Sequence, residues 1–172
     1  MSNEPISIAA PFCGTVVAMS HVPDDIFAHN VVGPGRALLP ETTSSIVDVR
    51  APISGNVTAA LPHAFSIESG NYSALVHLGV DTVNLRGDGF TVHVRAGDYV
   101  TQGDVLVTWD VAVAQQHGYS LVCPIVLVQA QEDHVTWVVD EGDVVAADEI
   151  IMHWSVPTET AVHTHETVPA PL

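Results

Sequence analysis

Two histidines, His63 and His77, are evenly spaced about a tight-turn signal. The signal is Ser69-Gly70-Asn71, and the residues on both sides of it favour strands, so the segment predicts a β-hairpin. A three-residue loop centred on Gly70 places His63 opposite His77. Directly opposed residues have Cβ atoms about 4.5–5.5 Å apart. The prediction depends on loop length, because a two-residue loop breaks this register.

The predicted register gives the two imidazoles an apolar environment, because it places Phe65, Ile67 and Leu75 on their face of the hairpin. Imidazole has an unperturbed pKa of about 6.5, so a neutral ring nitrogen is available as a nucleophile near pH 7. Phosphoryl transfer depends mainly on positioning and on donors for three charged oxygens. A nucleophilic histidine beside a donating one would satisfy both needs. The pattern alone also leaves a purely structural pair open.

The charged residues limit the classes of partner. The chain has 20 acidic residues and four basic ones, which gives a net charge of −16, so nucleic acids would be repelled and are not expected as partners. All four basic residues are arginines. Without lysine there is no Walker A lysine, no Schiff base and no attachment point for biotin or lipoate.

Hydropathy predicts no direct membrane insertion, because no apolar run approaches about 18 residues. Residues 1–5 lack the features of a signal peptide, and we therefore expect a cytoplasmic protein. Cys13 and Cys123 lie in apolar stretches. Both are expected to be buried, reduced and without chemistry.

Short β-branched runs, separated by turns rich in Gly, Pro and Asp, predict an all-β fold. Their spacing is typical of an antiparallel β-sandwich or barrel, and only Ala112 to His117 favours a helical turn. Residues 1–155 are predicted to form one domain. Residues 156–172, which have three prolines and no periodicity, are predicted to be a flexible tail or linker. The predicted strands are Gly14–Met19, Ile46–Val49, Tyr72–Leu78, Phe90–Val94, Val105–Trp109, Leu121–Val128, His134–Val139 and Ile150–Trp154.

Two pairs of segments echo each other. Ala10–Val16 resembles Ala51–Val57, and Gly97–Leu106 resembles Gly142–Ile151. Each contains glycine where a turn needs positive φ, followed by branched residues that suit a half-buried strand. The echoes predict a duplicated β-hairpin unit folded on itself.

Several segments around and upstream of the two histidines match a known family pattern. They are His63–Ser69, Leu75–Val83, Leu85–Phe90, Ile8–Pro11 with Gly14, Val22–Asp24, Phe27–Ala28, Val31–Gly35 and Ala51–Gly55. With them the chain resembles the glucose-type IIA proteins and domains of the bacterial phosphoenolpyruvate-dependent sugar phosphotransferase system. The likeness runs from about Ile6 to Trp154.

This resemblance implies a fold, an activity and partners. The fold would be an antiparallel β-sandwich of the duplicated hybrid motif type. His77 would accept a phosphoryl group on Nε2 from the phosphocarrier protein HPr, and would pass it to the cysteine of a IIB domain for sugar uptake. His63 would stabilise the phosphoryl group, Asp81 would support the pair, and the carbonyl near Gly79 would take the Nδ1 proton of His77.

The resemblance also implies a docking surface and a conditional metal site. No cofactor is required, although His63 and His77 would bind zinc together with a partner's carboxylate. Leu61 departs from the family pattern, which usually has a threonine hydrogen-bonded into the site at that position. The apolar docking rim would include Phe27, Leu75 and Val83.

Two other functions stay open. The segment His77-Leu78-Gly79-Val80-Asp81 fits the His-x-x-x-Asp spacing of lysostaphin-type zinc hydrolases. Catalytic zinc usually needs three protein ligands, and the only His-x-His motif, His163-Thr164-His165, lies in the predicted tail. The second alternative is a regulatory IIA module that docks on transporters or enzymes and transfers little phosphate.

Overall fold

In the computed structural model, which describes residues 4–157, short β-strands make up most of the chain. No helix within this range has the length and apolar composition needed to cross a bilayer. The strands are β1 (Ile6–Ala9), β2 (Gly14–Val17), β3 (Gly35–Pro40), β4 (Ile46–Arg50), β5 (Gly55–Leu61), β6 (Ala64–Ser69), β7 (Tyr72–His77), β8 (Phe90–Val92), β9 (Tyr99–Val100), β10 (Val105–Asp110), β11 (Cys123–Leu127), β12 (Val135–Trp137), β13 (Val144–Val145) and β14 (Ile150–Trp154). The helices are α1 (Asp25–Ala28) and α2 (Val111–Gln116), with 3-10 helices at Met19–His21, Thr82–Leu85 and Glu132–His134.

The strands pair antiparallel throughout the described part of the chain. The largest sheet has eight strands in the order β13-β2-β3-β11-β7-β6-β5-β9. Two further sheets have three strands each, in the orders β1-β14-β12 and β4-β10-β8. The predicted antiparallel β-sandwich is confirmed.

Strand alternation decides which side chains enter the core. In β7, Tyr72, Ala74 and Val76 are buried in the main core, while Leu75 and His77 are only half-buried. Successive side chains of a strand point to opposite faces of the sheet. The polar histidine therefore lies on the face away from the main core, together with Leu75.

That second face of the large sheet is also partly covered. In β11 all five residues are buried, which is the pattern of a strand covered on both faces. Ile125 joins the main core, whereas Val126 joins a smaller cluster beneath α1. The buried members of this smaller cluster are Met19, Val22, Phe27, Ala37, Val80, Val122 and Val126.

The predicted duplication is visible in the hydrogen bonds. In one copy β13 pairs with β2, and in the other β9 pairs with β5 in the equivalent way. The Val16 amide donates to the Asp143 carbonyl, and the Val57 amide donates to the Asp98 carbonyl, both at 2.8 Å. The pairing of β1 with β14 is matched in the same way by that of β4 with β10. Two copies of one hairpin unit thus build most of the frame.

All eight predicted strands are present, and the predicted helical turn is α2. Strands β1, β3, β5, β9 and β13 are not among the predicted strands, and β9 and β13 have only two residues each. Val156 packs against the main core, and its amide donates to the Tyr72 hydroxyl at 3.1 Å. Of the predicted tail, residues 158–172 lie outside the described residues.

The two cysteines differ in burial. Cys123 is buried as expected, but Cys13 is exposed, so that part of the prediction is wrong. Phe12 takes the inward position beside it and is 2% exposed. Both residues lie in the bend before β2, where Phe12 turns inward and Cys13 is left facing outward.

The β6–β7 hairpin differs by one residue from the predicted register. Ser69 pairs with Tyr72, so the loop has two residues rather than three. Gly70 opens this loop with a φ of 58°, and a glycine with positive φ in the first position is typical of a type II′ turn. The predicted pairs Glu68–Tyr72, Phe65–Leu75 and His63–His77 are therefore wrong.

Gly35 in β3 is the glycine at which an added side chain would clash most closely with its neighbours. A Cβ atom added there would lie 1.9 Å from the Ile125 carbonyl oxygen of β11, and backbone cannot move aside cheaply. We expect Gly35→Ala to lower the free energy of unfolding by about 3 kcal/mol or more. Chemical denaturation measures this value.

The matched control is Gly118→Ala. A Cβ atom at Gly118 meets nothing within 4 Å, although its φ of 76° costs an alanine about 1–2 kcal/mol. If both variants lost equal stability, close packing of β3 on β11 would not explain the glycine at 35.

Candidate functional site

His63 lies in the turn between β5 and β6 rather than on a strand. Leu61 pairs with Ala64, which makes His63 the second residue of a two-residue turn. Its carbonyl accepts a hydrogen bond from the Leu78 amide at 2.7 Å. Because it stands outside the strand, its side chain is free of the alternation of β6 and reaches the face that carries His77.

The two imidazoles are neighbours, as the sequence predicted, although the predicted strand register is wrong. The ring centroids of His63 and His77 are 5.1 Å apart, and the rings meet edge to face at 71°. The turn position of His63 and the strand-end position of His77 together bring them to one site.

The apolar residues around the rings are only partly those predicted. Phe65 and Ile67 are buried in the main core, on the opposite side of the sheet, because the one-residue shift reverses the faces of a strand. Leu75 is on the histidine face as predicted. The Phe27 ring of α1 lies 5.3 Å from the His77 ring and supplies an apolar contact that was predicted only as part of the docking rim.

One hydrogen bond fixes the tautomer of His77. Its Nδ1 lies 2.6 Å from the Gly79 carbonyl oxygen. A carbonyl oxygen only accepts hydrogen bonds, so Nδ1 carries the proton and donates it. The lone pair of the neutral ring is then on Nε2. The contact expected from the family resemblance is present.

Burial keeps both imidazoles neutral. Desolvation lowers the pKa of His77, and it outweighs the opposing effects of the Gly79 carbonyl and of two carboxylates, Asp24 and Asp81. Desolvation also lowers the pKa of His63, and the neighbouring His77 lowers it further. At pH 7 each ring therefore has an unprotonated nitrogen.

The two carboxylates reach His77 from different elements. Asp81 was predicted, and it precedes the 3-10 helix that follows β7. Asp24 was not predicted as a site residue. It is the N-cap of α1, where its Oδ1 accepts a hydrogen bond from the Ile26 amide at 2.9 Å. An aspartate before an apolar run is a readable cap signal, but only the packing of α1 shows that its charge is close enough to raise the pKa of His77.

The predicted docking rim divides into a buried and an exposed part. Phe27 is 8% exposed, so it supports the His77 ring more than it offers surface to a partner. Leu75 is half-buried, and Val83 is 55% exposed. Ile26 and Leu61, which lie close in sequence to Phe27 and His63, are each 52% exposed.

Comparison with known proteins decides the family. A family model described as phosphoenolpyruvate-dependent sugar phosphotransferase system, EIIA 1, matches residues 6–133. The chain belongs to this family. A relative from Oceanobacillus iheyensis, the PTS system glucose-specific EIIA component, is 37% identical over 125 residues, or 71% of this chain and 73% of that protein. The solved structure of glucose permease IIA from Mycoplasma capricolum matches with a TM-score of 0.75 and 30% identity, covering 87% of this chain and 96% of that one.

As an EIIA 1 family member, the chain is a phosphocarrier component of a sugar phosphotransferase system. The alternative of a zinc hydrolase is not favoured by these relatives. Its geometry is also incomplete, since residues 4–157 contain no group of three or more His, Cys, Asp or Glu residues arranged to hold a metal ion. The His163-Thr164-His165 motif lies outside the described residues.

The lowered pKa values predict how stability depends on pH. The folded-state pKa values of His63 and His77 lie below the ordinary value of 6.5, so the unfolded chain takes up protons first as the pH falls. The free energy of unfolding should be unaffected by these rings above pH 6.5. It should then decrease through the interval down to the folded pKa values, and these rings should have no further effect below them.

Urea denaturation of the wild type and of His77→Gln between about pH 8 and pH 5 measures this dependence. The variant lacks one of the two rings with a lowered pKa, so its stability should decrease less over the same interval. An equal decrease in both proteins would contradict the assignment.

Replacing Asp24 by asparagine should lower the pKa of His77 further. Asparagine preserves the N-cap acceptor, but it removes a negative charge that favours the imidazolium form. NMR titration of the His77 ring measures the change. Asp25→Asn, the same change at the next residue, should have a smaller effect, and a rise in the His77 pKa in Asp24→Asn would count against this electrostatic account.

Proposed function

We propose that His77 carries the phosphoryl group, which it accepts from the phosphohistidine of HPr and passes to the cysteine of a IIB domain. The supporting observation is the hydrogen bond from Nδ1 to the Gly79 carbonyl, because it leaves the Nε2 lone pair available beside His63. The sugar is delivered by the membrane component that contains or binds IIB. We place both phosphoryl transfers in the cytoplasm.

In the first step, the Nε2 lone pair of His77 forms a bond to phosphorus as the bond between phosphorus and the HPr imidazole breaks. The electron pair of the broken bond returns to the HPr ring nitrogen. In the second step, a thiolate of IIB forms a bond to phosphorus, and the pair of the breaking bond returns to Nε2. Nδ1 keeps its proton throughout, held by Gly79.

His63 is proposed to donate a hydrogen bond to the phosphoryl oxygens. Its ring is neutral and half-buried, and it faces His77 edge to face. A preorganised donor of this kind stabilises charge that develops in the transition state. Where the family usually has a supporting threonine, this chain has Leu61, which cannot supply a hydroxyl.

Leu75 and Val83 are proposed to form the apolar rim on which HPr and IIB dock in turn, with Phe27 supporting it from beneath His77. Contact of a partner with this apolar rim would also exclude water that could hydrolyse the phosphohistidine. The net charge of −16 would steer basic partner surfaces toward the chain. Regulatory docking on transporters or enzymes would use the same face.

Zinc binding is proposed only for a complex with a partner. His63 and His77 supply two nitrogen donors, whereas zinc sites in proteins are usually tetrahedral. Imidazole is a suitable zinc ligand, so the pair fits as half of a site that a partner's carboxylate would extend. Phosphoryl transfer does not require this metal.

Labelling from phosphoenolpyruvate with enzyme I and HPr tests the proposal, read as intact mass at alkaline pH. We expect one added phosphate on the wild type, lost on mild acid treatment. His77→Ala should take up none, because the nucleophile is gone. His63→Ala should still accept phosphate, but its transfer to IIB should be slower by about 100-fold or more, the typical effect of losing one transition-state donor.

His93→Ala is the matched control, since His93 is an exposed histidine bonded to Thr108 on another sheet and should label normally. Labelling of His77→Ala would overturn the assignment of the acceptor. A wild type that accepts phosphate yet does not pass it to IIB would instead support the regulatory docking module.

A further inference from the structure

The loop around Gly79 contains the carbonyl oxygen that accepts the hydrogen bond from His77 Nδ1. The conformation of this loop must therefore be fixed by other contacts. Gly79 has a φ of 80°, and glycine is the residue whose backbone rotates most freely. The peptide after it is fixed at both ends. Its carbonyl oxygen accepts a hydrogen bond from His77 Nδ1 at 2.6 Å, and its amide, from Val80, donates to the Ser120 carbonyl at 3.0 Å.

The peptide before Gly79 is fixed by side chains. The Leu78 carbonyl accepts a hydrogen bond from the Thr82 hydroxyl at 2.6 Å. Burial raises the pKa of the neighbouring Cys123 thiol, and the Gly79 amide of the same peptide opposes this rise. The thiol itself donates to the Leu121 carbonyl at 3.2 Å. A thiol is a weak acceptor, so the Thr82 hydroxyl is the stronger of the two contacts.

Thr82 is a polar residue whose side chain is buried. It is 0% exposed, and its methyl carbon would be 2.7 Å from a Cβ atom placed on Gly79. Valine has nearly the same shape and would fill this space without a hydrogen bond. Packing alone therefore does not explain the hydroxyl, whereas its bond to the Leu78 carbonyl does.

We propose that Thr82 is a positioning residue for phosphoryl acceptance, because its hydroxyl fixes the Leu78–Gly79 peptide and so keeps the Gly79 carbonyl in line with the His77 Nδ1 proton. This inference rests on the proposed role of His77 as acceptor. With the carbonyl in place, Nε2 keeps its lone pair. With the carbonyl displaced, the proton is shared between the two ring nitrogens, and the form protonated on Nε2 has no lone pair at the reacting atom.

The test compares Thr82→Val, which removes the hydroxyl, with Thr82→Ser, which retains it. The first readout is the tautomer of His77 in the unphosphorylated protein, from the nitrogen chemical shifts of the ring at a pH where it is neutral. The wild type and Thr82→Ser should show the form protonated on Nδ1, and Thr82→Val should show a mixture. The second readout is the rate of labelling by phospho-HPr, which should fall roughly tenfold in Thr82→Val and recover in Thr82→Ser.

The two readouts separate the failure of this proposal from that of the proposed function. A Thr82→Val protein that is folded, with an unchanged tautomer and an unchanged labelling rate, would overturn the positioning role. A changed tautomer in Thr82→Val, with no labelling of the wild type, would support positioning and contradict the acceptor role of His77.

A reciprocal measurement needs no change at Thr82, in case Thr82→Val does not fold. If the hydroxyl and the His77 ring hold the same loop, removing the ring must loosen the hydroxyl. The Thr82 hydroxyl proton should exchange slowly with water in the wild type, and several-fold faster in His77→Ala. Equal exchange rates would contradict the coupling.

Discussion

The hydrogen bond between His77 Nδ1 and the Gly79 carbonyl is the interaction on which the site depends. It decides which ring nitrogen carries the proton, and so which nitrogen has the lone pair. The bond exists only because the chain turns sharply after β7, with glycine at a φ of 80°. The surrounding contacts, from the Thr82 hydroxyl to the Ser120 carbonyl, act on that turn. The chemistry of one imidazole is thus set by the backbone of the loop after it.

Burial and charge act on this ring in opposite directions, and burial prevails. Phe27 and the smaller apolar cluster remove water from His77, which disfavours the imidazolium form, while Asp24 and Asp81 favour it. A neutral ring is what a nitrogen nucleophile needs at pH 7. The carboxylates are close enough to act on the pKa of the ring, but they do not reverse the effect of burial.

The duplicated units explain where the site can lie. One copy supplies β13 and β2 at one end of the large sheet, and the other supplies β5 and β9 at the opposite end. The two-residue strands β9 and β13 form its edges, and short edge strands limit unwanted pairing with other chains. The hairpin of β6 and β7 lies inside this frame, so the histidines do not lie on an edge strand of the sheet.

The sequence by itself determined the class of fold, the duplication, the proximity of His63 and His77, and the acidic charge from which nucleic-acid partners are not expected. Alternating residues and repeated segments are local patterns, and they are readable without a structure. Tertiary structure decided the loop length at Gly70, which reversed the faces expected for Phe65 and Ile67, because side chains alternate with a period of two. It also placed His63 in a turn, free of that alternation, and brought Asp24 to His77 from α1. The position of Asp24 depends on the packing of α1 beside His77, and no local pattern encodes the packing of segments that are distant in sequence.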